Sequence, residues 1–146
     1  MQPGQRDSSH AHTTVLVIDH EEIVRRTARH ALESRRYRVV KACDGSQGLE
    51  LFKANAEAYS LILLDLTMPV MDGAEALRHL RAIDPNTPIV LTSGYEEQEA
   101  ISHLPASERR LGGFVQKPFT APGLVALVEK VLKHKIGASR TGHAGG

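Results

Sequence analysis

Four short polar clusters, each following a run of apolar residues, carry the side chains of this 146-residue sequence best equipped for chemistry. They are Asp19-His20-Glu21-Glu22 after 15–18, Asp65 after 61–64, Thr92-Ser93 after 88–91, and Lys117-Pro118 after 113–115. One Asp in such a place says little, because Asp also caps helices and starts turns. The combination says more. Two carboxylates brought together repel, and a cation or a raised pKa must relieve them. A hard divalent ion with oxygen ligands is the usual relief. A Lys balances one charge and grips a phosphate oxygen, and a Ser hydroxyl donates to another. Such parts can accept a phosphoryl group on a carboxylate, while metal and ammonium neutralise the charge in transfer.

That chemistry requires the four clusters to meet, and the pattern of elements lets them. Strand-length apolar blocks at 14–18, 38–42, 61–64, 88–91 and 113–115 alternate with segments whose apolar residues recur every three or four positions. Such alternation marks parallel β and α units. The first helix is expected from near Glu21, with Val24, Ala28, Ala31 and Leu32 on one face and Arg25, Arg26, Arg29, Arg35 and Arg36 toward water. The second runs from about Ser46 to Ala56, the third follows a turn at Asp72-Gly73, and the fourth is weakly patterned over 96–104. The last starts at Ala121, stripes Leu124, Leu127, Val128, Val131 and Leu132 along one side, and has a stop at Gly137. Right-handed crossovers then predict an α/β fold: one doubly wound parallel sheet of five strands with five helices on its two faces. Ligands bind beyond the carboxyl ends of such strands, where all four clusters fall.

Composition narrows the classes of function. With 41% hydrophobic and 24% charged residues the chain reads as a globular protein of one domain, expected at 13–136 between small, polar tails at 1–12 and 137–146. No apolar run approaches the roughly twenty residues that span a bilayer. The first residues lack the apolar stretch of a secretory signal, so the expected location is the cytoplasm. Eighteen Lys and Arg against seventeen Asp and Glu leave a net charge of +1, no bulk attraction for nucleic acid or anionic lipid. The arginines of the first helix lack interleaved aromatics and read as a solvated face. Cys43 is alone, which precludes an internal disulfide. His10, His12, His30, His79, His103, His134 and His143 are too scattered for a zinc site, and no Gly-rich nucleotide loop occurs.

The sequence resembles the response-regulator receiver domains of two-component signalling. The stretches Val15-Leu16-Val17-Ile18-Asp19, Leu63-Leu64-Asp65-Leu66-Thr67-Met68-Pro69-Val70-Met71-Asp72-Gly73, Leu91-Thr92-Ser93-Gly94-Tyr95 and Gly113-Phe114-Val115-Gln116-Lys117-Pro118-Phe119 stand in the family's order, and the likeness covers about 13–134. It implies a flavodoxin-like strand order of 2-1-3-4-5. It also implies that Asp65 is the phosphoacceptor, that Asp19, Asp65 and the Thr67 carbonyl hold Mg²⁺, and that Lys117 contacts the phosphate. Ser93 would be the switch hydroxyl and Phe114 the aromatic that follows it, although Phe114 serves equally as core packing. Tyr95 is a second candidate for that role. The Lys117-Pro118 bond is expected to be cis. The last two stretches look most like receivers joined to hybrid histidine kinases, so the chain reads either as a stand-alone relay protein or as an excised C-terminal domain.

One position departs from the family. His20 stands where a second acid commonly ligates the metal directly. Mg²⁺ strongly prefers oxygen, whereas imidazole suits softer ions such as Mn²⁺, Ni²⁺ or Zn²⁺, so the expectation is weaker Mg²⁺ binding at a retained site, with Mn²⁺ as substitute. A protonated His20 supplying part of the missing positive charge is the other reading of this position. Glu21 or Glu22 is either a substitute oxygen ligand or a first-turn acid favoured by the helix dipole. The leading function is a receiver taking a phosphoryl group from a histidine kinase or histidine phosphotransfer protein onto Asp65, with slow self-catalysed dephosphorylation, as a monomer or weak dimer. The alternative is docking without phosphorylation, for which His20 speaks. A haloacid-dehalogenase-like phosphatase would need Asp where Thr67 stands, and a flavodoxin would not place acids beside its FMN phosphate.

Overall fold

The computed structural model describes residues 13–68, 71–106 and 112–145, with side chains through His134. The tail expected at 1–12, together with Arg109 and Arg110, lies outside the described residues. In chain order the elements are β1 (Thr14–Ile18), α1 (Glu22–Glu33), β2 (Arg38–Ala42), α2 (Gly45–Ala54), a single 3₁₀ turn (Ala56–Ala58), β3 (Leu61–Asp65), α3 (Gly73–Ile83), β4 (Ile89–Ser93), α4 (Glu97–Ser102), β5 (Gly113–Gln116) and α5 (Ala121–Gly145). All strand pairs are parallel, and the order is β2-β1-β3-β4-β5.

Strands β3 and β4 are buried at every residue, as expected of apolar, largely branched segments covered on both faces. One face packs Val15, Val17, Leu61, Leu63 and Val90 against Ala28, Leu32, Leu124 and Val128 of α1 and α5. The other packs Leu16, Ile18, Ile62, Leu64 and Leu91 against Phe52, Leu77 and Leu80 of α2 and α3. Alternate residues of one strand thus serve two cores.

The boundaries differ from the sequence reading in ways that matter at the carboxyl edge. Asp65 and the pair Thr92-Ser93 close β3 and β4 rather than following them, because the ladder continues through Asp65 opposite Thr92 and Ser93 opposite Gln116. Helix α2 stops at Ala54, since Asn55 takes an extended φ of −159° and passes Ala56 to the 3₁₀ turn. The expected stop at Gly137 is corrected: α5 runs on to Gly145. A glycine costs a helix about 1 kcal/mol but ends it only by turning left-handed, and no proline follows to force the issue. Of the five α1-region arginines, Arg25 is half-buried rather than solvated.

Glycine is required where α3 meets the loop after Asp65. A Cβ on Gly73 would press on the Leu66 Cα and lie 2.7 Å from the Asp65 carbonyl oxygen, while the Gly73 amide donates to the Leu66 carbonyl at 2.9 Å. Asp72 caps the same helix by accepting from the Glu75 amide at 2.8 Å. Backbone cannot yield as a side-chain tip can, so Gly73→Ala should lower the free energy of unfolding by about 1–3 kcal/mol in a denaturant titration. An unchanged midpoint would mean that the Asp65 loop is not held by this packing.

Candidate functional site

Backbone pairing delivers the four clusters to one edge. The Asp19 amide donates to the Ala42 carbonyl at 3.1 Å and the Leu66 amide to the Thr92 carbonyl at 2.9 Å. The Lys117 amide donates to the Ser93 carbonyl at 2.7 Å, which brings the segment after β5 alongside β4, and the Lys117-Pro118 peptide is cis as expected.

At this edge Asp19 and Asp65 are 2% and 1% exposed. The Lys117 ammonium lies between them, 2.9 Å from Asp19 Oδ2 and 3.3 Å from Asp65 Oδ2, with a third contact of 3.0 Å to Glu21 Oε1. His20 Nδ1 approaches Asp65 Oδ2 to 3.3 Å. The other oxygens of the buried acids are held by backbone: Asp19 Oδ1 accepts from the Glu21 amide at 2.9 Å, and Asp65 Oδ1 from the Thr67 amide at 3.0 Å. Each acid therefore keeps one oxygen fixed and turns the other to the lysine.

Burial raises the Asp65 carboxyl above its ordinary value, the nearby Asp19 charge adds to the rise, and the Thr67 amide and Lys117 oppose it without cancelling it. Burial works against the Lys117 charge, but hydrogen bonds to Asp19 and Glu21 and the pull of both buried acids outweigh it and lift that pKa. The hydrogen bond and charge of Lys117 in turn lower Glu21.

The structure thus brings Asp19 and Asp65 onto Lys117, and His20 onto Asp65. Ser93 is buried at the same edge, with its hydroxyl accepting from the Tyr95 amide at 3.0 Å. Phe114 is half-buried against the core that includes Leu77 and Leu91, and Tyr95 is 55% exposed. Of the two acids considered as substitute ligands, Glu21 is on Lys117, while Glu22 opens α1. Two features escaped the sequence. Arg25 Nη1 donates to the Asp19 carbonyl at 2.7 Å, anchoring the acid's backbone from the second turn of α1, and Thr92 Oγ1 is buried without a hydrogen-bond partner among the described residues. An arginine six residues beyond a strand-end acid was the available signal for the first; the alternation of Thr92 and Ser93 gave none for the second.

Asp19, His20 and Asp65 each offer a ligand atom, all within 4.8 Å of one another. Two buried carboxylates suit a hard divalent ion, and the donor set fits Mg²⁺ except at the imidazole, which favours softer metals.

The fold and the site together define a doubly wound α/β domain with two buried acids and a lysine at the carboxyl edge of its sheet. The family model for the response regulator receiver domain matches residues 15–129, and the chain belongs to that family, the receivers of two-component systems. It is 35% identical over 120 residues to the sensor kinase CckA of Brucella abortus, an alignment covering 82% of this chain and 12% of the kinase. Protein CcdB of Bacillus subtilis is 31% identical over 123 residues, covering 84% of this chain and 99% of that protein. The chain therefore spans a small part of the first relative and nearly all of the second. Among solved structures, chemotaxis protein CheY4 of Vibrio cholerae superposes with a TM-score of 0.73 at 26% identity, over 82% of this chain and 98% of that one. The acidic cluster is compatible with aspartyl phosphorylation and Mg²⁺ binding, and among the described residues no helix is long and apolar enough to cross a membrane.

The raised Asp65 pKa sets a pH test. The folded state favours the protonated acid, so its ionisation weakens folding as pH rises through the folded value, and this penalty is absent below the ordinary carboxylate value. In metal-free buffer Asp65→Asn should melt above the wild type at neutral pH, with the gap closing as pH falls into the acid range. A gap that widens on acidification would refute the raised value.

Proposed function

We propose that this domain takes a phosphoryl group from a histidine kinase or histidine phosphotransfer protein onto Asp65 and releases it slowly by hydrolysis. The observation that carries the reading is the Lys117 ammonium shared by Asp19 and Asp65 at the carboxyl edge of the sheet. With Oδ1 held by the Thr67 amide, Asp65 Oδ2 is the oxygen available as nucleophile. It attacks phosphorus, the P–O bond forms, the P–N bond of the phosphohistidine breaks, and the imidazole leaves with the electron pair. Lys117 faces the added charge, and the Ser93 hydroxyl turns from the Tyr95 amide to donate to a phosphoryl oxygen.

Asp19, Asp65 and the Thr67 carbonyl would hold Mg²⁺, which supplies further charge neutralisation at the transferring group. His20 leaves that set one oxygen short, so Mg²⁺ binding is weakened and Mn²⁺ serves as substitute. Phe114, half-buried beside β4, and Ser93 form the switch. The donor docks on α1, where Ile23 is 66% exposed beside a groove of about 370 Å³. The receiver occupies 13–136 as a cytoplasmic monomer or weak dimer without nucleic-acid contact, either alone or as part of a hybrid kinase. The second reading, docking without phosphorylation, is favoured by His20 standing 3.3 Å from the acceptor oxygen.

Incubation with a small acyl phosphate and Mg²⁺ or Mn²⁺ should add the mass of one phosphoryl group to the wild type and none to Asp65→Asn. Calorimetric titration should show Mg²⁺ binding tightened several-fold in His20→Asp. An unlabelled wild type beside a labelled known receiver favours the docking module, and unchanged Mg²⁺ affinity in His20→Asp removes the metal argument.

A further inference from the structure

Glu21 sits at the N-cap of α1 with extended backbone (φ −92°, ψ 120°), yet its side chain makes no capping hydrogen bond. Glu is not among the residues that ordinarily cap a helix start, so its carboxylate is available to a partner elsewhere. This one reaches to Lys117, 96 residues on, and accepts from Nζ at 3.0 Å.

An ammonium has three protons, and three carboxylates surround this one: Asp19 at 2.9 Å, Glu21 at 3.0 Å and Asp65 at 3.3 Å. The contact to Glu21 is a hydrogen bond, so a phosphoryl oxygen that draws the ammonium to itself does so in competition with that acid. The three differ in what displacement costs. Asp19 and Asp65 are buried, and a charge left there without a partner is expensive. They also belong, with His20, to the cluster able to hold a cation, and Glu21 does not. The Glu21 side chain is 46% exposed, so water takes over its solvation once the lysine leaves.

We propose that Glu21 is a displaceable latch on Lys117. It parks the ammonium while Asp65 is unmodified and competes with the phosphoryl oxygens for it, thereby setting how tightly the site holds the phosphoryl group. The proposal rests on the reading of Asp65 as acceptor. Glu21 and Lys117 also both line the groove formed with Ile23, Thr27, Pro118 and Phe119. Their contact ties α1 to the turn after β5, and phosphorylation of Asp65 unties it beside the surface where the donor docks.

Fluoroberyllate, which adds to a carboxylate as a phosphoryl mimic, provides the test. Its affinity is measured with saturating Mn²⁺ at low and high salt for the wild type, Glu21→Gln, Glu21→Asp and Glu22→Gln. Glu21→Gln should tighten binding about two- to fivefold, the range that an exposed ion pair supports. Glu21→Asp, one methylene short but still charged, should tighten it similarly, and Glu22→Gln should change little. The difference should shrink at high salt, where exposed pairs are screened. A Glu21→Asp indistinguishable from wild type, with Glu22→Gln matching Glu21→Gln, would reduce the effect to bulk charge and overturn the latch. Weaker binding by Glu21→Gln would overturn it too, making Glu21 a support rather than a competitor. Absence of fluoroberyllate binding in every protein, wild type included, would defeat the acceptor reading itself and the latch with it.

Discussion

The site depends on one electrostatic arrangement: an ammonium, itself mostly buried, compensating two carboxylates that the fold has removed from water. Asp19 and Asp65 are almost wholly inaccessible, and a charge held there without Lys117 would be buried and uncompensated. The arrangement is not relaxed. Asp65 keeps a pKa above its ordinary value even with the lysine and a backbone amide in place, so the edge still has a deficit of positive charge. A divalent ion there would meet that deficit and favour the ionised acid.

The rest of the fold can be understood as the means of holding those three groups in register. Parallel pairing of β1 with β3 and of β3 with β4 puts the ends of non-consecutive segments side by side. Close packing of Gly73 on the Asp65 loop and the Arg25 bond to the Asp19 carbonyl fix the backbone on either side. Rigid strands thus position the charges, while the groups with freedom to change partners, Glu21, His20 and the Ser93 hydroxyl, stand at their margins.

How much of this could be read from the sequence depends on the range of the physics involved. The five strands were legible because buried parallel strands are near-continuous apolar runs, and the carboxyl-edge location followed from topology. The identities of Asp19, Asp65, Ser93 and Lys117 followed from their places after those runs and from the family likeness. What could not be read was pairing. Nothing local says that Glu21 pairs with a lysine 96 residues away, or that Arg25 bonds a backbone carbonyl while its neighbours face water. Helix ends were similarly elusive: Gly137 is compatible with a stop and with continuation, and only the backbone conformation decides. His20 was conspicuous as a residue type, but its proximity to the Asp65 oxygen needed coordinates.

The claim that Lys117 is what makes the buried acids tolerable is tested most directly by a double-mutant cycle in unfolding free energy, using Lys117→Met, Asp19→Asn and the two combined at neutral pH without metal. The account predicts a coupling of about 1–3 kcal/mol in favour of the pair, because Lys117→Met leaves both buried acids without their cation, whereas in the double variant only Asp65 is left so. Effects that add within about 0.5 kcal/mol would contradict it, and would mean that the carboxylates owe their tolerance to something other than the ammonium between them.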